Sequence, residues 1–272
     1  MSVTVSELQV ATGEGWRIAR IECRACASSL AFEERHDAHL MAIVERGTFS
    51  YSGAIGRELL TPGSVLTANS GNCYRCHHTH DGGDTCLALQ INDELFEEIA
   101  HQATGSRRFS FASALFPIRR GLMPEAAQLA TVRDGANTQF AVFAFAEQLL
   151  QLASGHRPDR SVSLANTMRI ERSLRHAEDR LAENLSLAEL AQSAGLSRFH
   201  FARLFKLVVG RSPYDHVLKQ RLLRAARLLI ETRKPVLEIA LDCGFGDLST
   251  FNAAFKFHFK QTPSAFRRRA TH

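Results

Sequence analysis

Long apolar runs are missing from this sequence. No stretch reaches 18 apolar residues, and the N-terminus has no basic start followed by an apolar run. Neither a membrane span nor a secretion signal is therefore expected. Cysteine is sparse too: six in 272 residues, at 23, 26, 73, 76, 86 and 243. That density argues against a fold stapled by disulfides and makes a cytoplasmic setting the expectation. No separate set of substrate-handling residues is legible, which weighs against an enzyme. What the chain does have is length and apolar content. At 45% hydrophobic, 272 residues support two domains with cores of their own.

Charge is divided unevenly. Residues 161–272 hold 19 Lys and Arg against 10 Asp and Glu, a net of +9. The first 160 hold 14 against 18, a net of −4. A basic C-terminal third beside an acidic N-terminal part points one end of the chain at a polyanion.

From Ala19 to about Gln90, short apolar runs alternate with turn signals. LMAIVERG (40–47), TPGSVLTA (61–68) and CLALQI (86–91) are the strand candidates, punctuated by Gly47, Gly53 and Pro62-Gly63. The pattern predicts a compact barrel or sandwich of short strands. After residue 92 the period changes. NDELFEEIA has helical spacing, with Asn92 as a cap. A stronger helix is predicted over 137–153, with Phe140, Phe143, Ala144, Leu149 and Leu150 on its apolar face, and another over about 166–183. Between them SGHRPDRS (154–161) reads as a loop or linker. It sets an N-terminal domain at 1–160 and a C-terminal one at 161–272.

The C-terminal text is duplicated. Ser186-Leu187-Ala188-Glu189 fits a capping box, in which Ser and Glu satisfy each other's exposed backbone N–H groups. The helix LAELAQSA then turns Leu187, Leu190 and Ala191 inward until Gly195 ends it with a sharp turn. Ser197 caps RFHFARLFKLV, whose Phe201, Leu204 and Phe205 face a core. Helix, tight turn and helix make a helix-turn-helix at about 187–207. Glu238, Ala240, Cys243, Gly244 and Phe245 then repeat Glu189, Ala191, Ala194, Gly195 and Leu196 at an offset of 49. Phe251, Phe255, Lys256 and Pro263 repeat Phe201, Phe205, Lys206 and Pro213 at an offset of 50. A second unit is therefore expected at about 236–257, with one residue added in its turn and Pro235 at its first helical position. Between the units, YDHVLKQRLLRAARLLIETR (214–233) predicts a helix with Val217, Leu218, Arg221, Leu222, Ala225, Leu228 and Leu229 on one face. Its length, ~25–30 Å at 1.5 Å per residue, approaches one turn of DNA, ~34 Å.

On the segments LAELAQSAGLSRFHFARLFKLVVGRSPYDHVLKQRLLRAARLL and EIALDCGFGDLSTFNAAFKFHFKQTPSAFRR, residues 170 to 269 resemble the DNA-binding domain of the AraC/XylS family of bacterial transcription regulators. The resemblance implies a seven-helix unit whose two helix-turn-helix subdomains enter successive major grooves of double-stranded DNA. Carried over by position, the first reading helix presents Phe199, Ala202 and Arg203 to base edges, with Arg198 and Lys206 to phosphates and His200 to either. Arg203 suits a bidentate contact to guanine. The second presents Leu248, Ser249, Thr250, Asn252, Ala253 and Lys256. Family members often carry Arg where this chain has Ala253, so the first helix is expected to discriminate bases more. Asn252 can still read adenine. Arg267, Arg268 and Arg269 form a cluster suited to phosphates.

The resemblance also implies a β-rich N-terminal domain like a cupin barrel, serving in sensing, dimerisation or both. The fold expected is thus two-domain: a mainly β cupin-like barrel with flanking helices, then an all-α double helix-turn-helix. Activation through RNA polymerase is the commoner mode of the family. A homodimer and a small-molecule effector are the other partners it raises.

One stretch of the β domain stands apart. CYRCHHTHDGGDTC (73–86) gathers Cys73, Cys76, His77, His78, His80, Asp84 and Cys86. The Cys73–Cys76 spacing lets two thiolates reach one zinc ion, joined by His78 or His80 and by Cys86. His36 and His39 are more distant candidates. A turn-rich hairpin with solvated histidines and buried cysteines fits the same text, as does a redox pair of thiols. Two functional alternatives stay open. One is a cupin-type metal-dependent enzyme built on His78, His80 and Asp84. The other is an architectural protein that binds DNA without sequence preference.

Overall fold

Short apolar runs between turns become strands. The computed structural model describes residues 4–24, 33–78, 83–118, 121–132, 138–155 and 162–270. In order these are β1 (Thr4–Gly13), β2 (Trp16–Arg24), β3 (Glu34–Arg35), β4 (His39–Arg46), β5 (Phe49–Gly53), β6 (Gly56–Leu60), β7 (Ser64–Ala68), β8 (Cys73–His77) and β9 (Asp84–Ile91). Then come α1 (Asp93–Thr104), β10 (Leu115–Pro117), α2 (Met123–Ala130) and α3 (Thr138–Ser154). The rest is helical: α4 (Leu164–Asp179), α5 (Leu187–Ser193), α6 (Arg198–Val209), α7 (Pro213–Glu231), α8 (Val236–Asp242), α9 (Leu248–Phe259) and α10 (Pro263–Ala270). Two units result. One comprises Met1–Ile118 with Gln128–Arg160, the other Arg119–Ala127 with Ser161–His272. Among the described residues no helix is long and apolar enough to cross a membrane.

In the first unit a six-stranded sheet, ordered β1-β2-β9-β4-β7-β10, accompanies a four-stranded sheet, ordered β3-β8-β5-β6. All pairings are antiparallel. One core takes alternate residues of β4 (Leu40, Ala42, Val44), β7 (Leu66, Ala68) and β9 (Cys86, Ala88), together with Phe49, Tyr51 and Leu60 of the smaller sheet. Met41, Ile43, Leu87 and Leu89 are buried on the other face of the large sheet. Beyond them the His39 ring stacks on Phe96 of α1, centroids 3.6 Å apart. A strand buried on both faces reads as a continuous apolar run, which is why LMAIV does not alternate. Asn92 caps α1 as the sequence predicts, accepting from the Leu95 backbone N–H at 3.0 Å.

The apolar face predicted for α3 is rotated. Its buried residues are Thr138, Ala141, Val142, Phe145, Ala146, Leu149 and Leu150, while Phe140 is 75% exposed. FAVFAFA is apolar nearly all round, so composition did not fix the stripe; the i, i+3, i+4, i+7 spacing from Thr138 does. The helix expected at 166–183 runs Leu164–Asp179, capped by Ser163. Most of the predicted linker, 156–161, lies outside the described residues.

The second unit carries the seven helices α4–α10 among its described residues. Phenylalanine fills it: Phe201, Phe205, Phe251, Phe255 and Phe259 are all buried, and Phe255 meets both Phe259 and Phe266 ring to ring. The central helix α7 buries Val217, Leu222, Ala225 and Leu229, with Arg224 exposed and Arg227 half-buried.

Candidate nucleic-acid interface

Each reading helix begins at a turn built from local chemistry. In the first, Ser186 and Glu189 form the reciprocal capping box of α5: Ser186 N–H donates to Glu189 Oε2 at 2.8 Å, and Glu189 N–H donates to Ser186 Oγ at 3.2 Å. Leu190 and Ala191 are buried, but Leu187, expected inward, is 42% exposed, because it opens the helix before the buried turn. Gly195 takes φ +63° and its N–H returns to the Gln192 carbonyl at 2.9 Å. The second turn repeats this with Gly244, at φ +84°. It is tighter: a side-chain carbon added at Gly244 would lie 2.8 Å from the Ala182 carbonyl oxygen, whereas Gly195 faces open space. Pro235 is the cap residue of α8 rather than its first helical residue, with ψ 146° still extended.

Ser197 caps α6, accepting from His200 N–H at 3.4 Å, and Asp247 caps α9, accepting from Thr250 N–H at 2.7 Å. Both helices have twelve residues and divide the same way. One side of α6 is buried through Phe201, Leu204, Phe205, Val208 and Val209, and one side of α9 through Phe251, Phe255, His258 and Phe259. The opposite side of α6 presents Arg198, Phe199, His200, Arg203 and Lys206 to solvent, with Ala202 half-buried. Phe199, at 83% exposure, is a large apolar ring with no core to fill. The corresponding side of α9 presents Ser249, Thr250, Asn252, Ala253 and Lys256, with Leu248 half-buried. Thr250 is already engaged: its hydroxyl donates to Asp247 Oδ2 at 2.8 Å.

Two arginines hold the segments that lead into the turns. Arg221 of α7 donates through Nε to the Leu181 backbone carbonyl at 2.9 Å and through its terminal nitrogen to the Glu183 backbone carbonyl at 2.5 Å. Arg267 of α10 donates to the carbonyls of Leu229 at 3.0 Å and Lys234 at 2.7 Å. Arg267 was expected at phosphates; the structure instead commits its guanidinium to the backbone before α8. The Arg269 side chain lies outside the described set.

In the first unit the expected zinc ligands do not assemble as expected. Cys73 and Cys76 lie on one strand at a spacing of three, so they point to opposite faces. Cys73 is exposed, while Cys76 packs with Tyr74 against the core. His36 is spent on Tyr51, Nε2 to hydroxyl at 3.0 Å, and His39 on Asp93 at 3.4 Å. His80 lies outside the described residues. What does come together is Cys23, His78 and Asp84, with one donor atom of each within 4.8 Å of the others. His78 Nε2 and Asp84 Oδ1 are 2.5 Å apart, and Cys86 donates its thiol hydrogen to Asp84 Oδ2 at 3.5 Å. Burial alone lowers the basicity of His78, but its hydrogen bonds to Asp84 and Cys23 outweigh that and bring its pKa up to about 9. Cys23 belongs to a strand distant in sequence from His78 and Asp84, so nothing near CYRCHHTHDGGDTC marks it as their partner.

Comparison with known proteins bears on the helical unit. A family model described as "Helix-turn-helix domain" matches residues 190–269. LumQ of Photobacterium leiognathi is 29% identical over 170 residues, 53% of this chain and 68% of LumQ. The right origin-binding protein of Escherichia coli K12 is 41% identical over 91 residues, 34% of this chain but only 32% of that protein. The regulatory protein SoxS of Escherichia coli K12 is 32% identical over 92 residues, which are 34% of this chain and 86% of SoxS. The match to SoxS takes in most of that protein, and the helix-turn-helix model covers the duplicated helices, so the chain belongs to the AraC family of helix-turn-helix transcription regulators.

Proposed function

We propose that this chain is a sequence-specific transcription regulator that grips an asymmetric DNA site with α6 and α9 in successive major grooves. The observation that carries the reading is the two-sidedness of α6: a fully apolar face buried, and Arg198, Phe199, His200, Arg203 and Lys206 outward. A helix of this shape following a tight turn fits the major groove. Arg203 supplies the guanine contact, Phe199 an apolar surface for a thymine methyl, and Arg198 and Lys206 the phosphate contacts. On α9, Asn252 is the one exposed side chain suited to a bidentate base contact; Lys256 meets phosphate. Ala202, Leu248 and Ala253 let the helices approach closely, and Ser249 adds a short hydroxyl.

The first unit receives the signal, from a small molecule or from a second copy of the chain, and the outcome is activation through contact with RNA polymerase. Selection of bound sequences from random DNA with the full chain, followed by footprinting, tests the reading. A defined asymmetric site covering two adjacent major-groove segments supports it. Uniform protection with no enriched sequence identifies an architectural DNA binder instead and overturns it.

A further inference from the structure

Cys23 is the penultimate residue of β2 and Asp84 begins β9, and the two are direct cross-strand partners in that antiparallel pair. His78 follows the last residue of β8 in the other sheet. Three strands thus deliver a thiol, an imidazole and a carboxylate to one point. We propose that Cys23, His78 and Asp84 form a binding site for one divalent transition-metal ion of the zinc type.

The donor set fits such an ion. Zinc takes thiolate sulfur at ~2.3 Å and imidazole nitrogen or carboxylate oxygen at ~2.0 Å, so tetrahedral donors stand roughly 3.5 Å apart. Three atoms mutually within 4.8 Å need only small side-chain adjustments to close on one centre. A thiolate and a carboxylate beside a neutral imidazole match a charge of +2. His78 and Asp84 are only 5% and 8% exposed, and a buried carboxylate demands a compensating partner. A cation there replaces the hydrogen-bonding proton that now joins them. Cys86 holds the other oxygen of Asp84, in the position of an outer-shell orienter.

The backbone is shaped for the approach. Gly83, beside Asp84, has φ +62°, and a side-chain carbon there would sit 2.2 Å from the Cys23 carbonyl oxygen. On its other side, the same addition at Gly47 would meet the Gly83 carbonyl oxygen at 2.1 Å. Only glycine lets the chain close onto Cys23 at this point. The site stands whether or not the DNA reading holds, and it differs from one built on Cys73 and Cys76.

The test uses the full chain, reduced and stripped of metal, titrated with Zn(II) and with Co(II). One ion per chain is expected, with a cobalt form showing intense thiolate-to-metal absorption. Loss of an outer-shell partner costs ~10–100-fold in affinity, so Cys23→Ser should cost at least ~100-fold and abolish the thiolate band. Asp84→Asn should weaken binding while retaining that band, and Cys73→Ser should change neither. Circular dichroism of each variant verifies that it folds. The proposal is overturned by wild-type protein that takes up no stoichiometric metal, by bound cobalt lacking the thiolate band, or by an undiminished band in Cys23→Ser.

Discussion

Arg203 and Ala253 occupy the same position of two equivalent helices, each five residues past the first residue of a twelve-residue helix and each exposed. A duplicated scaffold therefore offers DNA a long bidentate donor on one copy and a methyl group on the other. Arg203→Ala is expected to lose ~1–3 kcal/mol of discrimination at one base pair, roughly 5- to 150-fold in operator affinity. Binding to random DNA should fall far less. Equal losses on both, in parallel titrations at fixed salt, would sink the assignment. Ala253→Arg should tighten binding to operator variants carrying guanine at the matching position of the second half.

The helix ends give a second comparison. α6 closes on Gly210 with φ 75°, and α9 closes on Lys260 with φ 61°, the sole non-glycine residue at positive φ among those described. A left-handed L-residue costs roughly 1–2 kcal/mol that glycine avoids. The Lys260 ammonium lies 6.0 Å from the Phe257 ring, a weak compensation at an exposed site. Lys260→Gly should raise the stability of the helical unit by about 1 kcal/mol in urea unfolding followed by circular dichroism. A neutral or lower midpoint would mean that the lysine is held there by more than its backbone.

His216 makes the helical unit acid-sensitive. The ring is buried edge-on to Phe205, and burial, with Arg211 and Lys219 adding positive charge, lowers its pKa to about 3. Lys219 is itself paired with Asp215 at 2.8 Å. In the unfolded chain the ring titrates near 6.5. The neutral ring's contribution is thus complete above pH 6.5 and is lost as pH falls from there towards 3, by up to about 1.4 kcal/mol per unit. His216→Leu should flatten the stability profile between pH 6.5 and 4.5. A variant profile parallel to wild type would place the acid sensitivity elsewhere.

Legibility followed the range of the interactions. Ser186, Ser197 and Gly195 act on neighbours within a few residues, so the capping and turn chemistry of the first helix-turn-helix is legible in the string. The strands were legible as apolar runs, but their pairing was not. Cys23 and Asp84 are 61 residues apart in sequence and become neighbours only when β2 meets β9. The local signal lies instead at Cys73 and Cys76, whose spacing suits a metal on a turn and fails on a strand, where the side-chain period is two. The reading side chains were visible as types. What their neighbours leave free is set only in the folded chain, as with the Thr250 hydroxyl held by Asp247.

Arg267 separates two uses of a basic residue. Its two backbone contacts fix the segment before α8 from the middle of α10, as Arg221 fixes the segment before α5. Hydrogen bonds from a charged donor are worth about 1.5–3 kcal/mol, less where the guanidinium is half-exposed as here. Arg267→Ala should therefore lower stability by about 1–2 kcal/mol while leaving the salt dependence of DNA binding unchanged, because no phosphate contact is removed. Lys206→Ala should do the reverse: stability is kept, and the slope of log affinity against log salt falls by about 1. Measuring both variants by unfolding and by salt titration distinguishes the roles. A reduced salt slope in Arg267→Ala with unaltered stability would return that arginine to the DNA backbone.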